Sequence, residues 1–560
     1  MKQLIVKILK KEVKLPEKEI DSLIEIPPNS EMGDFAFPCF TLSKEFKKSP
    51  NQIAEDLKKK IKLPKEIFSV EVAGPYLNFF INKKIFAEKL IKEISKQKED
   101  FGKNNLGKNK KIMVEFSQPN THKAFHVGHI RGTSLGESLA RILEFSGEKV
   151  IRANYSGDTG MHIAKWIWCY KKYHSKEKLK DDESWIASIY VDAVKKLSKD
   201  EKLQEEVNEI NRKIEDKSDK DINELWKKTR KLSIDSWKKI YLELNTKFNV
   251  YYFESEVEGE GKVVAKELVK KGIAKISEGA TIIDLKKYNL GVWVLLRSDG
   301  TVLYSSKDIV LAKRKSKDYD LDQSLYVVAN EQDLHMKQLF KTLDLIQFKD
   351  VKKLKHISYG MVRLPEGKMS SRTGDNILYS EFIKEVVDYP KKRIKERNIK
   401  ISKEELEKRA LAVSIAAIKY SMLKQGSSKI ITFKKEDALN FEGDTGPYLL
   451  YSYARASSII RKVKFKKSSA RILDLEPKEF ELTKKLSHFP EIVLGANKTF
   501  NPALIANYSY ELAKLFNEFY HACPVINSVN ESFRLKLVKS FRIVLKNSLN
   551  LLGIETLEEM

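Results

Sequence analysis

The chain has 560 residues, enough for three or four domains and a sizeable core, and its 104 Lys and Arg against 78 Asp and Glu leave it at +26. That balance favours a polyanionic partner, since each neutralised phosphate releases counterions, although lysine is spread along the whole chain and runs such as Lys58 to Lys60 read equally as solvated helix faces. Cys39, Cys169 and Cys523 form no Cys-x-x-Cys pair, which argues against a disulfide framework or a cysteine zinc site and fits a reducing cytosol.

Lysines interrupt the apolar residues of Met1 to Lys11 at helical spacing, a pattern wrong for a signal peptide. No run reaches the ~18 to 20 apolar residues of a membrane span, so a cytoplasmic protein with no membrane partner is expected. Residues 1–100 read as one unit with helical ends. In its middle, Tyr76 and Asn78 alternate with Leu77 and Phe79 and are expected to face out of a strand, where they could meet an unpaired base; a plain edge strand explains them nearly as well. Residues 101–110, with Gly102 and Gly107, read as a linker.

A strand is expected over Ile112–Phe116, followed by a helix opening at His126-Val127-Gly128-His129, with apolar positions Val127, Ile130, Leu135, Leu139 and Ile142. A helix N-terminus offers unpaired N–H groups and partial positive charge, a ready seat for polyphosphate. His126 and His129, three apart, share a face, and Gly128 lets a ring or phosphate approach the backbone. The charged stretch 172–231 reads as a helical insertion. Strand-like Ala280–Asp284, Val292–Leu296 and Ser324–Ala329 then resume what is expected to be a parallel sheet binding nucleotide at its carboxyl edge. Lys368-Met369-Ser370-Ser371 sits between Pro365-Glu366-Gly367 and Gly374-Asp375, punctuation that predicts a mobile loop able to carry a cation to charge that appears late in a reaction. From about 400 onward the pattern is helical, with Leu512, Leu515, Phe516 and Phe519, then Leu537, Phe541, Val544 and Leu545, at helical spacing before Gly553. Tyr448, Tyr451 and Arg455 fall on one helix face, offering two rings and a cation to RNA, or forming an internal aromatic stripe.

The HVGH and KMSS strings resemble the two signatures of class I aminoacyl-tRNA synthetases. The stretches Val114–Phe125, Asn154–Gly160, Asp299–Asp308 and Asn330–His335 narrow the resemblance to the arginyl-tRNA synthetases. It implies an α/β fold: a Rossmann-type parallel-sheet catalytic domain over 111–400 with inserted segments at about 172–300 and a KMSS loop at 368–374, an α/β N-terminal additional domain contacting the tRNA elbow, and an all-α anticodon-binding bundle over 401–560. The implied reaction is ATP-dependent ligation of L-arginine to tRNA(Arg) through an arginyl-adenylate, releasing pyrophosphate and AMP, with Mg²⁺ on the phosphates and no protein-held metal. Implied for ATP are His126, Gly128, His129, Lys368, Met369, Ser370 and Ser371; for arginine, Glu115, Asn120, Tyr304, Asp308 and Gln332, the carboxylates meeting the guanidinium fork with paired hydrogen bonds. Implied for tRNA are Tyr76, Asn78, Tyr448, Tyr451, Arg455 and the terminal Met560. A monomer is expected on the same ground.

Ser371 departs from the pattern, since the signature has a second lysine there. Lys123, three residues before His126, is the candidate to supply the missing charge. Two other readings stay open: a class I synthetase for another amino acid, opposed by Glu115 with Tyr304 and Asp308, and a non-catalytic RNA-binding relative, opposed by the intact HVGH and Lys368.

Overall fold

A computed structural model describes all residues except 366–376, 397–400 and 464–473, and the side chain of Ser30. The chain divides into two compact units, one of residues 1–98, 463–487 and 518–540, the other of 99–462, 488–517 and 541–560.

In the first unit, β1 (Phe35–Pro38), β2 (Ile67–Ala73) and β3 (Tyr76–Ile81) form an antiparallel sheet with β3 in the centre. The helices Lys2–Lys10 and Pro50–Lys60 pack apolar residues such as Ile5, Leu9, Ile53 and Leu57 into one core with Phe37, Leu77 and Phe79. Central placement corrects one expectation. Asn78 is buried rather than facing out, because it pairs with Ala36 on one side and Glu71 on the other and lies under the turn at Gly33, where a Cβ would come within 3.3 Å of the Asn78 Cβ. Tyr76, at the end of the strand, is half-buried edge-on against the exposed Phe40.

The second unit is built on five parallel strands. They are β4 (Lys111–Glu115), β5 (Lys149–Ser156), β6 (Val250–Phe253), β10 (Gln323–Ala329) and β11 (Leu354–Tyr359), in the order β11-β10-β4-β5-β6. The chain runs outward from β4 through β5 to β6, then returns to the other side of β4. That reversal opens a crevice at the carboxyl ends of β4 and β10, where such sheets bind ligands. The helix after β4, Val127–Phe145, buries Val127, Ile130, Leu135, Leu139 and Ile142 as its pattern foretold.

The strands β7 (Lys275–Ser277), β8 (Ala280–Asp284) and β9 (Val292–Leu296) make a separate antiparallel sheet, so the expectation that β8 and β9 join the parallel sheet is corrected. The connection between β8 and β9 is too short for a parallel crossover, which needs about a dozen residues or more. The charged stretch after β5 is helical, as Glu183–Lys199, Gln204–Glu215 and Lys220–Glu243. β12 (Val362–Arg363) pairs in parallel with β13 (Ile431–Thr432), and the other described elements of the C-terminal region are helices, from Lys403–Leu423 to Glu531–Leu551, with Gly553 taking φ +67° just beyond the last of them. No described helix is long and apolar enough to cross a membrane.

Candidate active site

Between β4 and the helix beginning at Val127 the chain crosses the carboxyl edge of the sheet in a loop where Ser117, Gln118 and His122 take φ of 78°, 55° and 62°. Left-handed backbone at non-glycine residues costs energy and persists only where neighbours impose it. Here the Thr121 N–H donates to Gly157 O at 2.9 Å, the His122 N–H to Ser233 Oγ at 3.0 Å, and Ser117 Oγ lies 2.9 Å from the Tyr241 hydroxyl.

The loop delivers His126 as the helix N-cap. Its Nδ1 accepts the Gly128 N–H at 3.2 Å, and the His126 N–H donates to His129 Nδ1 at 3.1 Å. A neutral ring nitrogen that accepts carries no proton, so both imidazoles hold theirs on Nε2 and present a donor. Burial, reinforced by the nearby Lys123 ammonium, pushes His126 down to about 4; burial, His126 and Lys123 hold His129 well below the usual histidine range. The rings lie 3.9 Å apart, and a Cβ on Gly128 would come within 2.9 Å of the His126 ring, which is why glycine stands there.

Asn120, Lys123, His126 and His129 line a cavity of about 530 Å³, closed by Ser184 and Ser188 on the helix Glu183–Lys199 and by Leu378 and Glu381. Burial, then the neighbouring Lys165, lowers the Lys123 pKa, and its ammonium sits 5.6 Å above the Tyr190 ring.

A smaller cavity, about 180 Å³, adjoins through Asn120, which lines both. Glu115, Asn120, Tyr304, Asp308 and Gln332, drawn from the ends of β4 and β10 and from the helix Tyr304–Tyr319, all line it. Tyr304 opens that helix, so it and Asp308 share a face as the four-residue spacing requires. The carboxylates differ in their partners. Glu115 is ion-paired with Lys315, both nearly inaccessible, and its Oε1 also accepts the Gln118 side chain at 2.9 Å. Burial alone would depress the Lys315 ammonium, but Glu115, together with Tyr326 and Asp308, outweighs it and holds the pKa above the usual lysine range. Asp308 Oδ2 instead takes a hydrogen bond from His335 Nε2 at 2.6 Å.

Lys368, Met369, Ser370 and Ser371 lie outside the described residues. The chain on either side is anchored near the histidines. Arg131, on the helix that His126 caps, donates to Gly360 O at 2.5 Å and Met361 O at 3.3 Å, and Leu378 forms an antiparallel bridge with His126.

Tyr448, Tyr451 and Arg455 form the less buried stripe of the helix Gly446–Lys462. Asn517 links them: its amide donates to the Tyr448 hydroxyl at 2.9 Å and its carbonyl accepts from Arg455 at 2.5 Å, while Arg455 also reaches the Tyr451 hydroxyl at 3.0 Å. Half-buried Met560 follows Glu558, whose carboxylate accepts from Tyr453 on the same helix at 3.0 Å. Elsewhere, Cys169, His174 and Asp192 bring metal-type donor atoms within 4.8 Å of one another. There the thiol, the imidazole and the Lys196 ammonium already satisfy the Asp192 carboxylate, at 3.4, 3.0 and 3.4 Å.

Sequence reading missed Lys315, His335, Asn517 and Gly157. Lys315 continues the face of Tyr304, Asp308 and Leu311 at helical spacing, a signal that was available; His335 belongs to the recognised Asn330–His335 stretch but carries no role there.

Three family models match the chain: "tRNA synthetases class I (R), catalytic domain" over 90–433, "DALR anticodon binding domain" over 449–560 and "Arginyl tRNA synthetase N terminal domain" over 1–81. Arginine–tRNA ligases of Clostridium acetobutylicum and Clostridium kluyveri are 38% and 39% identical to it over 567 residues, covering 100% of each chain. Among solved structures, arginyl-tRNA synthetase of Thermus thermophilus superposes with a TM-score of 0.78 at 26% identity, over 96% of both chains.

Proposed function

The chain belongs to the arginyl-tRNA synthetases, the class I arginine–tRNA ligases, and from that premise we propose that the two cavities meeting at Asn120 are its active site, the larger for ATP and the smaller for L-arginine. Its reaction is the ATP-dependent attachment of L-arginine to tRNA(Arg).

The arginine carboxylate attacks the α-phosphorus of ATP, the bond to the β-phosphate oxygen breaks, and pyrophosphate leaves. The terminal ribose hydroxyl of tRNA then attacks the arginyl carbonyl of the adenylate and releases AMP. No covalent enzyme intermediate is needed, so catalysis is positioning plus stabilisation of developing charge. The Nε2–H donors of His126 and His129 face the phosphates, with Lys123 beside them, and Gly128, which has no side chain, leaves the helix start open to their approach. Lys368, with Met369, Ser370 and Ser371 beside it in sequence, brings a further cation to the phosphates. Leu378, bridged to His126, ends that segment; Ser371 is seven residues away, within a reach of about 25 Å. Mg²⁺ would be bound chiefly by the phosphates, with the larger cavity's Glu381 a suitable hard oxygen donor beside them, and it would supply charge neutralisation.

In the smaller cavity Asp308, Glu115 and the Tyr304 hydroxyl hold the guanidinium, while Asn120 and Gln332 orient the reacting end. Residues 1–100 contact the tRNA elbow with Tyr76, 101–110 connect, 111–400 catalyse, and 401–560 read the anticodon with Tyr448, Tyr451, Arg455 and Met560. A cytoplasmic monomer completes the reading. The observation that carries it is Asn120 lining both chambers, since the arginine carboxylate and the α-phosphate must meet there. Pyrophosphate exchange with each of twenty amino acids, with and without bulk tRNA, tests it. Exchange with arginine alone is expected; exchange driven by another amino acid, or by none under either condition, would overturn the assignment.

A further inference from the structure

Three carboxylates line the smaller cavity: Glu254 is paired with Lys307 at 2.9 Å, while Glu115 and Asp308 are neutralised to different degrees, and that difference starts outside the cavity, on β9 of the small antiparallel sheet. Trp293, only 4% exposed, donates its indole Nε1–H to His335 Nδ1 at 3.3 Å. An indole N–H can only donate, so His335 Nδ1 must accept and carry no proton. The ring's proton is therefore on Nε2, the atom 2.6 Å from Asp308 Oδ2. His335 thus donates to Asp308 as a neutral imidazole, whereas Glu115 faces the full positive charge of Lys315.

We propose that His335, held in one tautomer by Trp293, is a positioning residue for arginine recognition that orients the Asp308 carboxylate without cancelling its charge. The proposal rests on the reading that Asp308 meets the guanidinium. One donor occupies one lone pair of Oδ2, leaving Oδ1 and the remaining lone pair for the planar fork of a guanidinium. Asp308 then supplies the net negative charge that selects a cation, while Glu115, balanced by Lys315, contributes shape and acceptor geometry. Tyr304 stands edge-on to the imidazole at 4.7 Å, and His335 itself lines the cavity, so it braces both arginine-facing residues of that helix from the cavity wall. The antiparallel sheet acquires a role in the site through a single hydrogen bond.

The test compares His335→Leu, His335→Gln, Trp293→Phe and Asp308→Asn in arginine-dependent pyrophosphate exchange by the full-length enzyme. His335→Leu should raise the arginine KM about 10- to 100-fold, the size expected for one lost hydrogen bond to a charged group, with the ATP KM unchanged. His335→Gln, whose amide can still donate, should recover part of the loss. Trp293→Phe should shift the arginine KM in the same direction by a smaller factor. An unchanged arginine KM in His335→Leu, or an equal rise in the ATP KM, would overturn the proposal. Asp308→Asn separates the two levels: if it leaves the arginine KM untouched, the parent reading fails; if it raises the KM while His335→Leu does not, only the role of His335 fails. Should His335→Leu not fold, ¹⁵N-histidine spectra of the wild-type protein decide. A neutral ring protonated at Nε2 supports the proposal, and an imidazolium or an Nδ1-protonated ring contradicts it.

Discussion

A Cβ added to Gly157 would lie 2.3 Å from Asn120 Oδ1. The glycine after β5 thus sets the position of the side chain that joins the two cavities, and Gly157 O also accepts the Thr121 N–H of the same loop. Gly157→Ala should displace Asn120 by about an ångström and slow adenylate formation on the order of 10²-fold, while thermal unfolding changes little. Single-turnover adenylate formation measures this; a wild-type rate would show that Asn120 does not need this placement.

Glu115 and Lys315 are a buried pair with 3% and 1% side-chain exposure. Removing one partner strands the other charge, so Lys315→Met should destabilise the protein by about 3 to 5 kcal/mol. The double variant Glu115→Gln/Lys315→Met should regain much of that stability but not arginine affinity. Denaturant unfolding and arginine KM together read the result, and a double variant no more stable than Lys315→Met would refute the pairing.

His122 is fully buried between Thr121 and Thr229, and burial pushes it down to about 3. Its unfolded value is about 6.5, so between those limits the unfolded chain binds the extra proton and stability falls as pH falls. From pH 6.5 to 5 the loss amounts to about 2 kcal/mol. Melting curves at pH 7, 6 and 5 should fall less steeply for His122→Gln than for the wild type; parallel lines would contradict the assignment.

How much of this was legible depended on sequence distance. The strand, loop and capped helix around HVGH are local, and each local signal agreed with the others, so the helix and its buried face were readable. The pairing of Glu115 with Lys315 spans 200 residues and no periodicity reports it. β8 and β9 read as strands from composition, but their partners were set by the length of the connection, which favours an antiparallel hairpin. Asn78 alternates like an outward residue and is buried because its strand is central, a property of the sheet and not of the segment. The five residues proposed for arginine, all lining the smaller cavity, came from resemblance; spacing alone linked only Tyr304 and Asp308.

In the helix Gly446–Lys462, Arg455 is held by Asn517 and Tyr451 in a half-buried setting that fixes the guanidinium. If it meets a phosphate, Arg455→Met should weaken tRNA binding and reduce the slope of log affinity against log salt by about 1. Filter binding across a salt series tests this. An unchanged slope and affinity would return the Tyr448–Tyr451–Arg455 stripe to a purely structural role.

The proposed convergence of the histidine pair and Lys368 on one triphosphate makes both necessary for adenylate formation. Arginine-dependent pyrophosphate exchange by His129→Ala and Lys368→Ala, measured with tRNA present, is its most direct test. Both rates should fall on the order of 10²- to 10³-fold with the arginine KM nearly unchanged. A Lys368→Ala enzyme that exchanges at the wild-type rate would contradict the convergence of the two motifs.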